Sequence, residues 1–207
     1  MNISKTITDA CTKIFDTILP PRNTQKLVRA LTLSDLRSLA SIEGPLPYHD
    51  KRVTALVWEL KYRKNSKALQ LAGEWLAEQA IALAEDALVK PVLIPVPMHH
   101  ARRKARGYNQ TESLCEAILE ASKNSFSYAP HALTRVRNTI SQQGLPRHRR
   151  LKNMFGAIES TRRDEVKGRV CVVIDDVSTT GATTEETKRA LLEAGAQEVH
   201  ILTLAHS

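Results

Sequence analysis

One stretch constrains this chain more than any other: Val172-Val173-Ile174-Asp175-Asp176-Val177-Ser178-Thr179-Thr180-Gly181-Ala182-Thr183. A continuous apolar run, Arg169–Ile174, predicts a buried strand that ends in two carboxylates. A short hydroxyl-rich loop with one glycine then opens a helix over Thr183–Ala194, with Glu185 and Glu186 in its first turn and Gly195 placed to end it. Pro91–Val96 and Val199–Leu204 read as further buried strands, and Thr111–Ala121 as a helix with Asn109 near its start. β-Branched runs alternating with helices imply a parallel sheet covered on both faces, joined by right-handed crossovers. The expected class is α/β.

Ligands of open α/β sheets bind beyond the carboxyl ends of the strands, so the acid-to-loop junction is where a site belongs. From Ser178 through Ala182 to Thr183 the loop can turn successive backbone N–H groups toward one point, at the positive end of the following helix. Thr179, Thr180 and Thr183 add hydroxyl donors, and Gly181 lets the backbone approach without a Cβ. The result is a cradle for a dianion. Asp175 and Asp176 stand too close to it to welcome a bare phosphate themselves; carboxylates there suit vicinal ribose hydroxyls and Mg²⁺, directly or through water. The chain has no GxxxxGK[ST] and no GxGxxG, which disfavours a P-loop nucleotidase and a dinucleotide fold. A strand ending in an Asx turn before a capped helix accounts for each piece of the stretch but not for the combination.

Net charge is +8, and the segment 99–169 holds 15 Lys/Arg against 6 Asp/Glu, so the rest of the chain is close to neutral. Such a field attracts phosphates, on a small molecule or on nucleic acid. Within it, a Pro95-Val96-Pro97 turn leads to Arg102, Arg103, Lys104 and Arg106, cations at the carboxyl end of a neighbouring strand and suited to hold a pyrophosphate. Leu133–Phe155 is basic and polar, broken by Gly144 and Pro146. It reads as a flexible lid carrying Arg135, Arg137, Gln142 and Arg149, whose closure would exclude water. His99 and His100 are adjacent, so their rings are expected to point apart, and no third ligand is near in sequence. Few aromatics accompany the basic run (Tyr108, Phe126, Tyr128, Phe155), a poor supply for stacking single-stranded nucleic acid.

Before Lys90–Pro91 the pattern is mostly helical. Leu27, Val28, Leu31 and Leu36 suggest a first helix with Thr24 as N-cap, and Glu43–Tyr48 a turn or edge segment. Val53, Leu56, Val57 and Leu60 mark a second helix, and Leu69, Ala72, Leu76, Ala80, Leu83 and Ala87 a longer one. Trp58 and Trp75 lie on or beside these stripes as core residues. With aromatic content of only 4%, the core is expected to be aliphatic. Cys11, Cys115 and Cys171 form no CxxC pair, which disfavours a thiolate zinc site and favours a reducing compartment. No signal-peptide pattern and no membrane-spanning stretch is apparent; the expected location is cytoplasmic.

The stretch 172–183 is similar to the phosphoribosyl pyrophosphate signature of type I phosphoribosyltransferases, in which apolar residues precede two acids and a T-T-G-x-[ST] loop. The resemblance implies ribose contacts from Asp175 and Asp176, a 5-phosphate held by Thr179–Thr183, and Mg²⁺ as cofactor. It also implies a core over 91–207 and a helical hood over 1–90 that selects the acceptor. The Arg-Gly-x-Asn-Gln of Arg106–Gln110, Thr139-x-x-Gln142, and Arg149 with Asn153 and Phe155 resemble the ComF (competence protein F) family. So do Tyr48 and the Leu60-Lys61-Tyr62 helix end, and the likeness covers Tyr48–Ser207. ComF proteins commonly carry an N-terminal zinc module with paired cysteines; Cys11 stands alone in the first hundred residues, so that module is expected to be lacking. Three functions stay open: transfer of a phosphoribosyl group to an unknown base or amine; a non-catalytic phosphoribosyl or nucleotide sensor with single-stranded DNA on segment 99–169, serving DNA uptake; and a structural partner with a vestigial site. The sequence excludes no oligomer.

Overall fold

The computed structural model describes residues 21–40, 44–138 and 152–207. Among the described residues before Pro91, four helices hold most of the chain: α1 (Pro21–Ala30), α2 (Leu33–Leu39), α3 (Lys51–Tyr62) and α4 (Ser66–Leu83), with the short strand β1 (Leu46–Pro47) between α2 and α3. The second half runs β2 (Val92–Pro95), α5 (His100–Arg106), α6 (Gln110–Ala121), β3 (Ser127–Tyr128), β4 (Leu133–Arg135), β5 (Ile158–Ser160), α7 (Arg163–Val166), β6 (Val170–Ser178), α8 (Ala182–Glu193) and β7 (Glu198–His206).

Five strands form a parallel sheet in the order β1-β7-β6-β2-β3, and β4 and β5 form a separate antiparallel pair. The α/β class is therefore a parallel sheet flanked by helices, with a helical N-terminal region, as the sequence predicts. β6 is central, with Val172 opposite Leu93 of β2 and His200 of β7. Its alternate residues feed two cores. Val172 and Ile174, with Leu93, pack against α1 to α4 and α6; Cys171 and Val173, with Val92 and Ile94, pack against α8 and the β4–β5 pair. This period-two division is what a strand buried on both faces requires.

Local chemistry sets the helix starts. Asp50 accepts from the Arg52 N–H at 2.8 Å to open α3, Asn65 from the Ala68 N–H at 3.2 Å to open α4, and Asn109 from the Thr111 N–H at 3.4 Å to open α6. Thr24, expected as a cap, lies inside α1, and its hydroxyl donates to the buried Glu59 of α3 at 2.7 Å. α4 ends at Leu83 rather than Ala87. The residues Arg102–Arg106, to which the sequence assigns no element, lie in a helix that buries none of its side chains, so no apolar period marks it. Among the described residues, no helix is long and apolar enough to cross a membrane.

Candidate functional site

β6 runs past its apolar stretch and delivers Asp175 and Asp176 to the carboxyl edge of the sheet, both buried. Asp175 Oδ1 accepts from the Asp176 N–H at 2.9 Å, and Asp176 Oδ1 from the Val177 N–H at 2.8 Å. Beyond them a cavity of about 120 Å³ is lined by Asp175 and by Val177 through Thr184. The predicted cradle residues Ser178, Thr179, Thr180, Gly181, Ala182 and Thr183 therefore share one concave space with Asp175. Gly181 closes the loop at φ 75°, a left-handed conformation that a side chain would strain.

Two observations give this cavity an appetite for anions. No side chain caps α8, so the N–H groups of its first turn keep their donors for something else. The Thr180 hydroxyl is buried and has no hydrogen-bond partner among the described residues. Other hydroxyls of the turn are already engaged: Thr184 donates to the Gly181 carbonyl at 2.7 Å and Thr187 to that of Thr183 at 2.8 Å.

The two acids are electrostatically unlike. Burial, with Asp176 beside it, pushes the Asp175 carboxyl up to about 7. Burial acts on Asp176 in the same sense, but the Lys61 ammonium, Arg106 and the Gln110 amide outweigh it and hold that carboxyl below the usual range. Lys61 Nζ of α3 lies 3.1 Å from Asp176 Oδ2, and Gln110 Nε2 donates to the same oxygen at 2.9 Å. Arg106 in turn donates to Gln110 Oε1 at 2.6 Å and lies over the Tyr62 ring at 5.6 Å. The Tyr108 hydroxyl donates to the Leu60 carbonyl, tying the α5–α6 turn to the end of α3. Sequence reasoning named Lys61 and Gln110 only as marks of resemblance and gave neither a place in the site.

The predicted cations separate into groups. Arg103 forks onto Glu112, at 2.5 and 2.9 Å, and braces α5 against α6. Arg106 joins the Asp176 network. The Arg102 side chain is exposed by area, yet desolvation by the protein around it and the neighbouring Arg106 pull it below its ordinary value. Arg135, read as part of a lid, sits in β4 opposite Ile158; burial and Arg102 bring it down to about 10, against the attraction of Asp175. Arg137 donates to the Asn153 carbonyl at 3.4 Å and to that of Phe155. Gln142 and Arg149 lie outside the described residues, as does Thr139. The rings of His99 and His100 do not point apart but lie 4.1 Å from one another, with His99 Nδ1 accepting from the Ala101 N–H at 3.3 Å.

Among the described residues no group of three or more His, Cys, Asp or Glu could cage a metal ion. A Mg²⁺ shared between one or two carboxylates and a phosphorylated substrate makes no such demand. The buried Asp175, with no ion-pair partner among the described residues, fits that manner of binding.

A family profile described as phosphoribosyl transferase domain matches residues 104–207. The chain is 32% identical over 157 residues to the DNA utilization protein YhgH of Salmonella typhi, covering 75% of this chain and 67% of that one. It is 33% identical over 118 residues to Competence protein F of Haemophilus influenzae, spanning 56% of this chain and 50% of the relative. Competence protein ComFC of Bacillus subtilis is 33% identical over 117 residues, 56% of this chain and 45% of the relative. Among solved structures, the allosteric regulatory enzyme of purine biosynthesis superposes with a TM-score of 0.43 at 22% identity, over 72% of this chain and 30% of that one. A hypoxanthine phosphoribosyltransferase from Staphylococcus aureus gives 0.40 at 13% identity, over 67% and 63%.

Proposed function

The chain belongs to the phosphoribosyl transferase domain family and within it to the ComF-like proteins, and on that premise we propose that it binds phosphoribosyl pyrophosphate with Mg²⁺ and transfers the phosphoribosyl group to a base or amine. The observation that carries this reading is the cavity between Asp175 and Thr184, with an uncapped helix start and an orphaned Thr180 hydroxyl. The loop Ser178–Thr183 holds the 5-phosphate, and the ribose lies toward the acids. Arg102 and Arg106 stand on the diphosphate side, at the carboxyl end of β2, with Arg135 across from them. Mg²⁺, shared between Asp175 and the substrate's oxygens, would neutralise charge on the departing diphosphate. The residues themselves act by positioning and by fixed charge, with no covalent intermediate on the protein. Residues 1–90 serve as the hood and 91–207 as the core, in a cytoplasmic protein.

Calorimetry with phosphoribosyl pyrophosphate and Mg²⁺, followed by a pyrophosphate-release screen over bases and amines, tests the proposal. Binding and release are expected in the parent. The Asp175→Asn/Asp176→Asn double variant should have neither; turnover surviving in it would sink transfer at this site.

A second reading, a phosphoribosyl or nucleotide sensor that takes single-stranded DNA on segment 99–169, is favoured by α5. That helix buries none of its side chains and carries Arg102, Arg103, Lys104 and Arg106 with no acid of its own. Relatives named for DNA utilization and competence point the same way. Binding of phosphoribosyl pyrophosphate without pyrophosphate release, alongside salt-dependent DNA binding, is the outcome that selects it.

A further inference from the structure

Asp175 and Asp176 are neighbours in sequence but are held by different parts of the molecule. Asp176 already takes three donors from the protein: Oδ2 receives Lys61 at 3.1 Å and Gln110 at 2.9 Å, and Oδ1 receives the Val177 N–H at 2.8 Å. Those donors come from α3, from the first residue of α6 and from the strand itself. Gln110 is fixed in turn by Arg106, whose guanidinium occupies its carbonyl oxygen and so leaves the amide nitrogen to face Asp176. Asp175 has a different setting. Its carboxylate takes one backbone N–H, lines the cavity and has no ion pair among the described residues.

We infer that the two acids divide the work: Asp175 is the carboxylate that meets the ligand, and Asp176 is a positioning residue through which Lys61 couples the helical hood to the phosphate loop. The identity of the ligand rests on the function proposed above; the coupling does not. Val177 and Ser178, the next two residues, begin the cradle, so whatever fixes Asp176 fixes the loop's point of departure. Lys61 stands near the end of α3, where the Tyr108 hydroxyl also grips the Leu60 carbonyl, so two contacts at one helix end bind hood to core. A ligand group that sought Asp176 would have to displace an ammonium and an amide already in place. One that sought Asp175 displaces neither.

Hydrogen exchange on the full chain, without ligand, reads the coupling directly. Asp176→Asn and Lys61→Met should speed exchange of the amides of Lys51–Tyr62 and of Val177–Gly181 by about 10-fold or more, Lys61→Arg should restore protection, and Asp175→Asn should not speed it. Asp176→Asn is isosteric, which guards the test against a Lys61→Met chain that does not fold. In calorimetry with phosphoribosyl pyrophosphate and Mg²⁺, Asp175→Asn should weaken binding about 100-fold, as expected for losing charge-assisted hydrogen bonds, and Asp176→Asn by no more than about 10-fold. Equal loss of binding in the two Asn variants would overturn the division of labour. Unchanged protection of Lys51–Tyr62 in both Asp176→Asn and Lys61→Met would overturn the coupling. A parent that binds no phosphoribosyl pyrophosphate would defeat the proposed function, while the exchange result would still decide whether Asp176 links hood and core.

Discussion

Gly73 of α4 faces Ala117 of α6 so closely that a Cβ added to the glycine would stand 2.5 Å from the Ala117 Cβ and 3.0 Å from its carbonyl carbon. This contact joins α4 to the helix that begins with Gln110. A mid-helix Gly→Ala change ordinarily gains about 1 kcal/mol of helix propensity. Here the obstructing atoms include backbone, which cannot swing aside, and overpacking of this kind costs about 1–3 kcal/mol. Gly73→Ala is therefore expected to destabilise in urea unfolding, and Ala117→Gly added to it should recover only the part due to the Cβ–Cβ contact. A single variant as stable as the parent would show that the two helices do not meet this tightly.

Much of the cradle was legible because it is contiguous: Asp175 to Thr183 carry strand end, acids, turn and helix start in nine consecutive positions, and local rules govern all of them. The partners of Asp176 were not, since Lys61 lies in another element and meets it only after α3 has packed on the sheet. α5 was missed because periodicity needs a buried face and that helix has none, although Ala, Arg and Lys are good helix formers. β3 and β4, at two and three residues, are too short to show alternation. Arg135 was assigned to a lid for that reason, when pairing with β5 is what holds it.

Asp175 predicts a pH dependence with a definite sign. In the folded chain its carboxyl keeps a proton up to about pH 7, whereas the unfolded chain releases it near 3.8. Between those values the folded state binds more protons, so stability falls as pH rises through the window. Asp176 works in the opposite sense: its depressed value lends stability above 3.8 that is lost as pH drops below it. Urea midpoints in metal-free buffer should decline from about pH 4 to about pH 7 in the parent relative to Asp175→Asn. Parallel profiles for the two proteins would rule this out.

Lys104 separates the two functional readings. It lies exposed on α5 and has no ion pair among the described residues, in contrast to Arg103 on the same helix. If single-stranded DNA runs over this face, Lys104→Ala should reduce the slope of log K against log salt by about 0.7, the share of one phosphate contact. Affinity for phosphoribosyl pyrophosphate should not change. A loss confined to the small ligand would place Lys104 in the pocket and leave the DNA reading without support from α5.

Thr180 allows one substitution to move stability and binding in opposite directions. Its hydroxyl is buried without a partner among the described residues, and an unsatisfied buried polar group costs about 1–3 kcal/mol. Thr180→Val keeps the shape and removes that cost, so the ligand-free variant should match or exceed the parent in thermal unfolding. A hydrogen bond from this hydroxyl to a phosphate oxygen is worth about 1.5–3 kcal/mol, so the same variant should bind phosphoribosyl pyrophosphate at least about 10-fold more weakly. Loss of stability in the free protein would mean that the hydroxyl has a protein partner after all, and unchanged affinity would mean that the phosphate sits elsewhere. Both measurements come from one preparation, and only a hydroxyl held in reserve for a ligand predicts the pair.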